Sequence, residues 1–251
     1  FDIRSSPTSS RHAVSRRVGT HPRVVSLRNV TSQKHLCGAT LLSAGIAVTA
    51  AHCCYGHPSE YILQLNNYCT NEDYPRAKVL EIYIHEDYEK YSRAHDIALL
   101  SIDLDLDDID WLNESILPET LEEPTDCMIA GYGVTDVNSE EPSAKLLAAS
   151  VAIISYEECF QKLGEYMTPA RGSGQMCAVG INSSDTCLGD SGGPILCSPN
   201  LEIRGISSYG QSCGCPGVPG VYTNVLEHST WIRDTIELIQ KTNDNTKVNS
   251  F

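Results

Sequence analysis

An all-β chain closed by one helix is what this sequence predicts, on two observations. Short apolar runs recur between turn residues over most of the length, and a helical period appears only near the end. In the first half the runs are Val24 to Leu27, Gly38 to Leu42, Ile46 to Thr49, Tyr61 to Leu65, Val79 to Ile84 and Ile97 to Ile102. In the second they are Cys127 to Ala130, Leu146 to Ile154, Gly193 to Cys197, Ile203 to Ser208 and Gly220 to Val225, separated by Gly- and Pro-rich turns. Near the end Trp231, Ile232, Thr235, Ile236, Leu238 and Ile239 fall roughly on one side of a 3.6-residue period, which predicts an amphipathic helix over about Ser229 to Gln240. Residues 1 to about 20 are rich in Ser, Arg and Pro without an apolar period and read as a leader arm. Lys241 to Phe251 reads as a polar, frayed tail.

A chain of 251 residues can bury a core without help from metal or partner, as one unit or two fused halves. Its formal charge of −14 repels phosphate backbones and anionic lipid headgroups, which argues against a nucleic-acid partner. The run Asp103, Asp105, Asp107, Asp108 and Asp110 reads as a solvated strand or loop without function. The longest apolar region, Leu41 to Ala51, is broken by Ser43, Gly45 and Thr49 and falls short of a bilayer span, so membrane insertion is not expected. The chain begins Phe1-Asp2-Ile3-Arg4, without Met or a signal-peptide pattern, which suggests a processed or trimmed terminus. Eleven cysteines with no Cys-x-x-Cys unit fit a disulfide framework and an oxidising, extracellular compartment better than a zinc site. Asn29, Asn113 and Asn182 head candidate glycosylation sequons.

Three local patterns carry the residue types of acyl transfer: a nucleophile, a base and a carboxylate that fixes the base's tautomer. They are Thr49-Ala50-Ala51-His52-Cys53, then Asp96-Ile97-Ala98-Leu99-Leu100, then Gly189-Asp190-Ser191-Gly192-Gly193-Pro194. A His before a Cys, or an Asp before an apolar strand, is by itself more often structural. The third string is far more specific, because its glycines allow a tight turn that aims adjacent amide hydrogens at one point.

All three patterns, in the order His, Asp, Ser, resemble the chymotrypsin/trypsin family of serine proteases, over about Pro22 to Gln240. The resemblance implies two six-stranded antiparallel β-barrels with a C-terminal α-helix, a leader over residues 1–21, a peptidase domain over 22–240 whose halves meet near 112–126, and a tail over 241–251. It implies Ser191 as nucleophile, His52 as general base and then acid, Asp96 as the group orienting the imidazole, and backbone N–H groups of Gly189 and Ser191 as the oxyanion hole. Asp185, six residues before the nucleophile, would lie at the floor of the primary pocket and select Lys or Arg. Gly210 and Gly220 would leave its walls open. Ser208-Tyr209-Gly210 resembles the edge segment that pairs with substrate backbone, with Tyr209 in place of the family's usual Trp. Thr186 stands where trypsins carry a small Ser or Ala and would change the Lys/Arg balance.

The same resemblance implies disulfides Cys37–Cys53, Cys127–Cys197, Cys159–Cys177 and Cys187–Cys213. Of the remaining three cysteines, Cys54 is assigned to Cys69 across a short loop, and Cys215 is left free or available to another chain. Expected partners are protein or peptide substrates and proteinaceous inhibitors. No cofactor is called for; Glu72, Asp73 and Glu81 lie where a calcium loop is expected, but their number and spacing do not assign a ligand set, and calcium binding stays open.

Activation departs from the family pattern. Members are cut to free an Ile-Val-Gly-Gly terminus whose amine pairs with the acid beside the catalytic Ser, here Asp190, yet the chain contains no such string. Register from Pro22 leads back to Ser10-Arg11-His12-Ala13, whereas residue type favours Val18-Gly19 after Arg16-Arg17. The functions in view are an active secreted protease cleaving after Lys or Arg, and a catalytically silent homologue or zymogen that binds partners through the same cleft.

Overall fold

The eleven apolar runs become strands, and a twelfth that they did not mark joins them, in the computed structural model, which describes residues 21–65, 76–104, 112–119, 126–133, 143, 146–181, 191–210 and 217–248, with side chains through 243. The first half contributes β1 (Val24–Asn29), β2 (His35–Ser43), β3 (Ile46–Thr49), β4 (Tyr61–Gln64), β5 (Arg76–Ile84) and β6 (Ala98–Leu104). They close into one antiparallel barrel in the order β1-β2-β3-β6-β5-β4, shut by β1 pairing with β4. The second half contributes β7 (Cys127–Gly131), β8 (Leu147–Ile154), β9 (Gln175–Gly180), β10 (Pro194–Cys197), β11 (Glu202–Gly210) and β12 (Gly220–Asn224). These close in the order β10-β11-β12-β9-β8-β7, shut by β10 pairing with β7. Closure leaves no unpaired edge to template aggregation. This is the all-β, two-barrel architecture that the resemblance implied.

Both barrels fill their interiors with branched side chains. Leu27, Leu41, Leu63, Leu99 and Leu100 are fully buried in the first, and Ile195 packs with Val151 and Tyr222 in the second. Strand β2 is buried continuously from Cys37 to Leu42, because its outer face is covered as well as its inner one. A Cβ added to Gly38 would stand 2.9 Å from the N and Cα of Gly193, so β2 lies directly against the chain that enters β10.

The helical content exceeds the expectation in two places. Helix α1 (Tyr156–Leu163) was not foreseen, although Ser155 caps it by accepting the Glu158 N–H at 3.1 Å, and Gly164 ends it at φ 73°. Helix α2 runs Ser229–Val248, so the segment read as a frayed tail from Lys241 is helical to Val248. Lys241 to Val248 holds neither Pro nor Gly to stop the helix that Ile232 and Ile239 anchor in the core.

Among the described residues, three bridges staple this frame. Cys37–Cys53 joins β2 to the turn after β3, Cys127–Cys197 joins β7 to β10, and Cys159–Cys177 joins α1 to β9. The Cys54–Cys69 pairing is a correction. Cys54 is a free thiol, 4% exposed and packed among core residues, while its neighbour Cys53 takes the bridge on the other side of the turn. Cys69, Cys187, Cys213 and Cys215 lie outside the described residues.

Candidate active site

Strand β3 ends at Thr49, and the 3₁₀ turn Ala51–Cys53 that follows carries His52 on a base pinned by the Cys37–Cys53 bridge. Asp96 lies just before β6, centred in a tight turn in which the Ile97 N–H reaches the His95 carbonyl at 2.8 Å. The two residues are 44 apart in sequence, yet β3 and β6 are hydrogen-bonded neighbours and bring their ends together. Asp96 is fully buried, and its carboxylate is held twice by His52: Oδ1 accepts the backbone N–H at 2.9 Å, and Oδ2 lies 2.7 Å from Nδ1. A carboxylate can only accept, so Nδ1 carries a proton, and in the neutral ring it is Nε2 that holds the lone pair.

The second barrel completes the grip. Ser208 in β11 donates its hydroxyl to Asp96 Oδ2, and Thr223 in β12 donates to the Asp96 carbonyl at 2.7 Å. Burial alone raises the Asp96 pKa, but the hydrogen bonds and charge of His52 and the Ser208 hydroxyl outweigh it and hold the group below the ordinary carboxylate value. The ionised Asp96 in turn adds to burial and the Tyr55 hydrogen bond in raising the Tyr88 phenol.

Ser191 opens the return into β10 and is half-buried. Its carbonyl accepts the Gly38 N–H at 2.7 Å, Gly192 N–H reaches the Ser207 carbonyl at 2.8 Å, and Ser207 N–H reaches the Gly193 carbonyl at 2.8 Å. Gly192 has φ 79°, and a side chain there would collide with the Thr49 hydroxyl and the Gly38 carbonyl. Thr49 itself donates to that carbonyl at 2.8 Å. Ser191 is therefore fixed at the seam between barrels, against the residues that lead into His52.

Of the segment expected to line the substrate cleft, Ser208, Tyr209 and Gly210 end β11, where Gly210 pairs with Gly220 at the start of β12. Among the described residues, a Cβ on Gly210 would meet the Gly220 Cα alone, at 3.9 Å. Tyr209 packs beside Met167 and donates to its carbonyl at 3.4 Å, and burial raises its phenol. Asp185, Thr186, Gly189 and Asp190 lie outside the described residues.

Sequence reasoning put Ser208 at the substrate edge, whereas its side chain reaches the buried carboxylate. It missed Thr223 altogether. Thr is an ordinary strand residue, and only the pairing of β12 beside β11 reveals that it faces Asp96.

The comparisons agree with this geometry. The Trypsin family model matches residues 12–232. Ovochymase of Halocynthia roretzi is 32% identical over 233 residues, covering 85% of this chain, which spans only 14% of that longer relative. The solved structure of neuropsin, a serine protease expressed in the limbic system of mouse brain, superposes with a TM-score of 0.73 at 28% identity, over 86% of this chain and 95% of that one. With two closed barrels and an imidazole held by a buried carboxylate at the seam between them, the chain belongs to the trypsin family of serine proteases.

Proposed function

We propose that the protein is a secreted serine endopeptidase that hydrolyses peptide bonds after Lys or Arg. The observation that carries the reading is the His52–Asp96 pair, doubly hydrogen-bonded around a buried carboxylate, with His52 set in the turn after Thr49, against which Gly192 next to Ser191 packs. Ser191 Oγ attacks the scissile carbonyl while His52 Nε2 takes its proton. Asp96 stays ionised and stabilises the imidazolium. The N–H groups of Gly189 and Ser191 receive the oxyanion. His52 then gives its proton to the leaving amine, and a water, deprotonated by the same nitrogen, releases the acyl group from Ser191. Asp185 at the pocket floor would select the cationic side chain, admitted past Gly210 and Gly220.

Paired Arg and Phe amide substrates test the specificity. Turnover of the Arg substrate is expected to lead by about 10²-fold or more, and preference for Phe would refute Asp185 as the selector. Ser191→Ala should abolish covalent labelling by a fluorophosphonate, and persistent labelling would mean another nucleophile. The lack of an Ile-Val-Gly-Gly string favours a second reading, a silent homologue or precursor, for which the unaltered chain would resist the same label.

A further inference from the structure

Three histidines that the sequence scatters meet beside the turn that holds Asp96. His85 follows β5, His95 precedes Asp96 directly, and His228 lies just ahead of α2. One ring nitrogen from each falls within 4.8 Å of the others. The His85 and His95 rings stack at 5.0 Å, His228 meets both edge-on at 5.2 and 5.3 Å, and Trp231 covers His85 at 4.9 Å.

The protonation pattern can be deduced from partners. His228 Nδ1 lies 2.7 Å from the Asn224 carbonyl, which can only accept, so Nδ1 is protonated and Nε2 bears a lone pair turned into the cluster. The ligating form of an imidazole is this neutral tautomer. His95 Nδ1 stands 3.1 Å from that Nε2 and must donate to it. An imidazole whose outer N–H is fixed by a backbone carbonyl while its other nitrogen points inward is the arrangement that orients metal-ligating histidines. Gly174, at φ 68°, borders the pair. A Cβ there would stand 2.8 Å from His228 Nε2 and 3.1 Å from His95 Nδ1, so only glycine leaves that side open.

We propose that His85, His95 and His228 form a binding site for a divalent transition-metal ion of the zinc class. Imidazole nitrogens are the donors such ions favour. Two ligands at the usual zinc–nitrogen length of 2.0–2.1 Å and a tetrahedral angle lie roughly 3.3 Å apart, close to the 3.1 Å between His95 and His228. The ion takes the place of the proton between them, and that proton passes to His95 Nε2, so both rings stay neutral. His85, half-buried, closes the set from the solvent side. Its Nδ1 accepts the Asp87 N–H at 3.1 Å, a surface hydrogen bond that water replaces as the ring turns to the ion. The fourth position is left to solvent. The ion would sit one residue from Asp96.

Titration calorimetry of the full chain with zinc alone tests this without reference to turnover, so it is independent of the protease reading. One ion per chain is expected, with imidazole ligation in the X-ray absorption spectrum. His85→Ala, and His95→Asn with a side chain that tolerates the positive φ of 52°, should each weaken binding by at least about tenfold while circular dichroism stays unchanged. Absence of binding, or binding that survives both substitutions, would overturn the site. Loss of binding in His52→Ala with none in His85→Ala would place the ion at the other imidazole and overturn it equally.

Discussion

Asp96 is a fully buried acid, and a buried charge is tolerated only where hydrogen bonds replace its water. Ser208 supplies one of those bonds from the second barrel. Ser208→Ala should leave the carboxylate one donor short and cost about 1.5–3 kcal/mol of stability, the worth of a hydrogen bond to a charged group. On the proposed mechanism kcat/KM for an Arg amide should fall about tenfold as the imidazole loses its fixed orientation. Urea unfolding and steady-state kinetics measure both, and an unchanged variant would remove Ser208 from the site. Cys54 lies in the same neighbourhood, where burial, with the Asp96 charge second, pushes its thiol from 9.0 up to about 12. The folded state therefore holds this proton more tightly than the unfolded one. The resulting stability is fully present below pH 9 and is lost as pH rises toward 12. At pH 8 the native thiol should resist iodoacetamide and react only after denaturation. Rapid labelling of native protein at Cys54 would contradict that burial.

Among the elements, the strands were legible because many are buried almost continuously and so read as short apolar runs. The two that escaped have local reasons. Strand β9 reads Gln-Met-Cys-Ala-Val-Gly between Gly174 and the next turn, too short and too weakly patterned to stand out. Helix α1 is amphipathic over only eight residues, with Cys159 and Leu163 as its buried pair. Its one clear signal, Ser155 three residues before Glu158, marks a helix start only once the following turn is known to pack. Helix α2 was read correctly in type and too short in extent, since a period locates the face that packs and says little about where an unbroken polar stretch ends. Its two faces separate by energy. Ile232 is fully buried, so Ile232→Ala should cost about 2–5 kcal/mol. Leu238 is half exposed, so Leu238→Ala should stay within about 0.5 kcal/mol. Denaturant midpoints decide between them, and equal losses would mean that the helix does not dock by its Ile232 face.

At the scale of the whole molecule, the site exists because two barrels meet. His52 and Asp96 come from the first, Ser191, Ser208 and Thr223 from the second, and the Gly38–Gly193 contact sets how closely the halves approach. The sequence by itself determined the strand content, the closing helix and the family, because period and a six-residue glycine-rich string are local properties that any window of the chain displays. Three disulfides followed from that resemblance. Only the tertiary structure decided that Cys54 stays a thiol, that Thr223 and the Ser208 hydroxyl serve Asp96, and that three histidines converge behind it. Those facts depend on which side chains face one another across strands far apart in the chain, and no local pattern of residues records a distance in space.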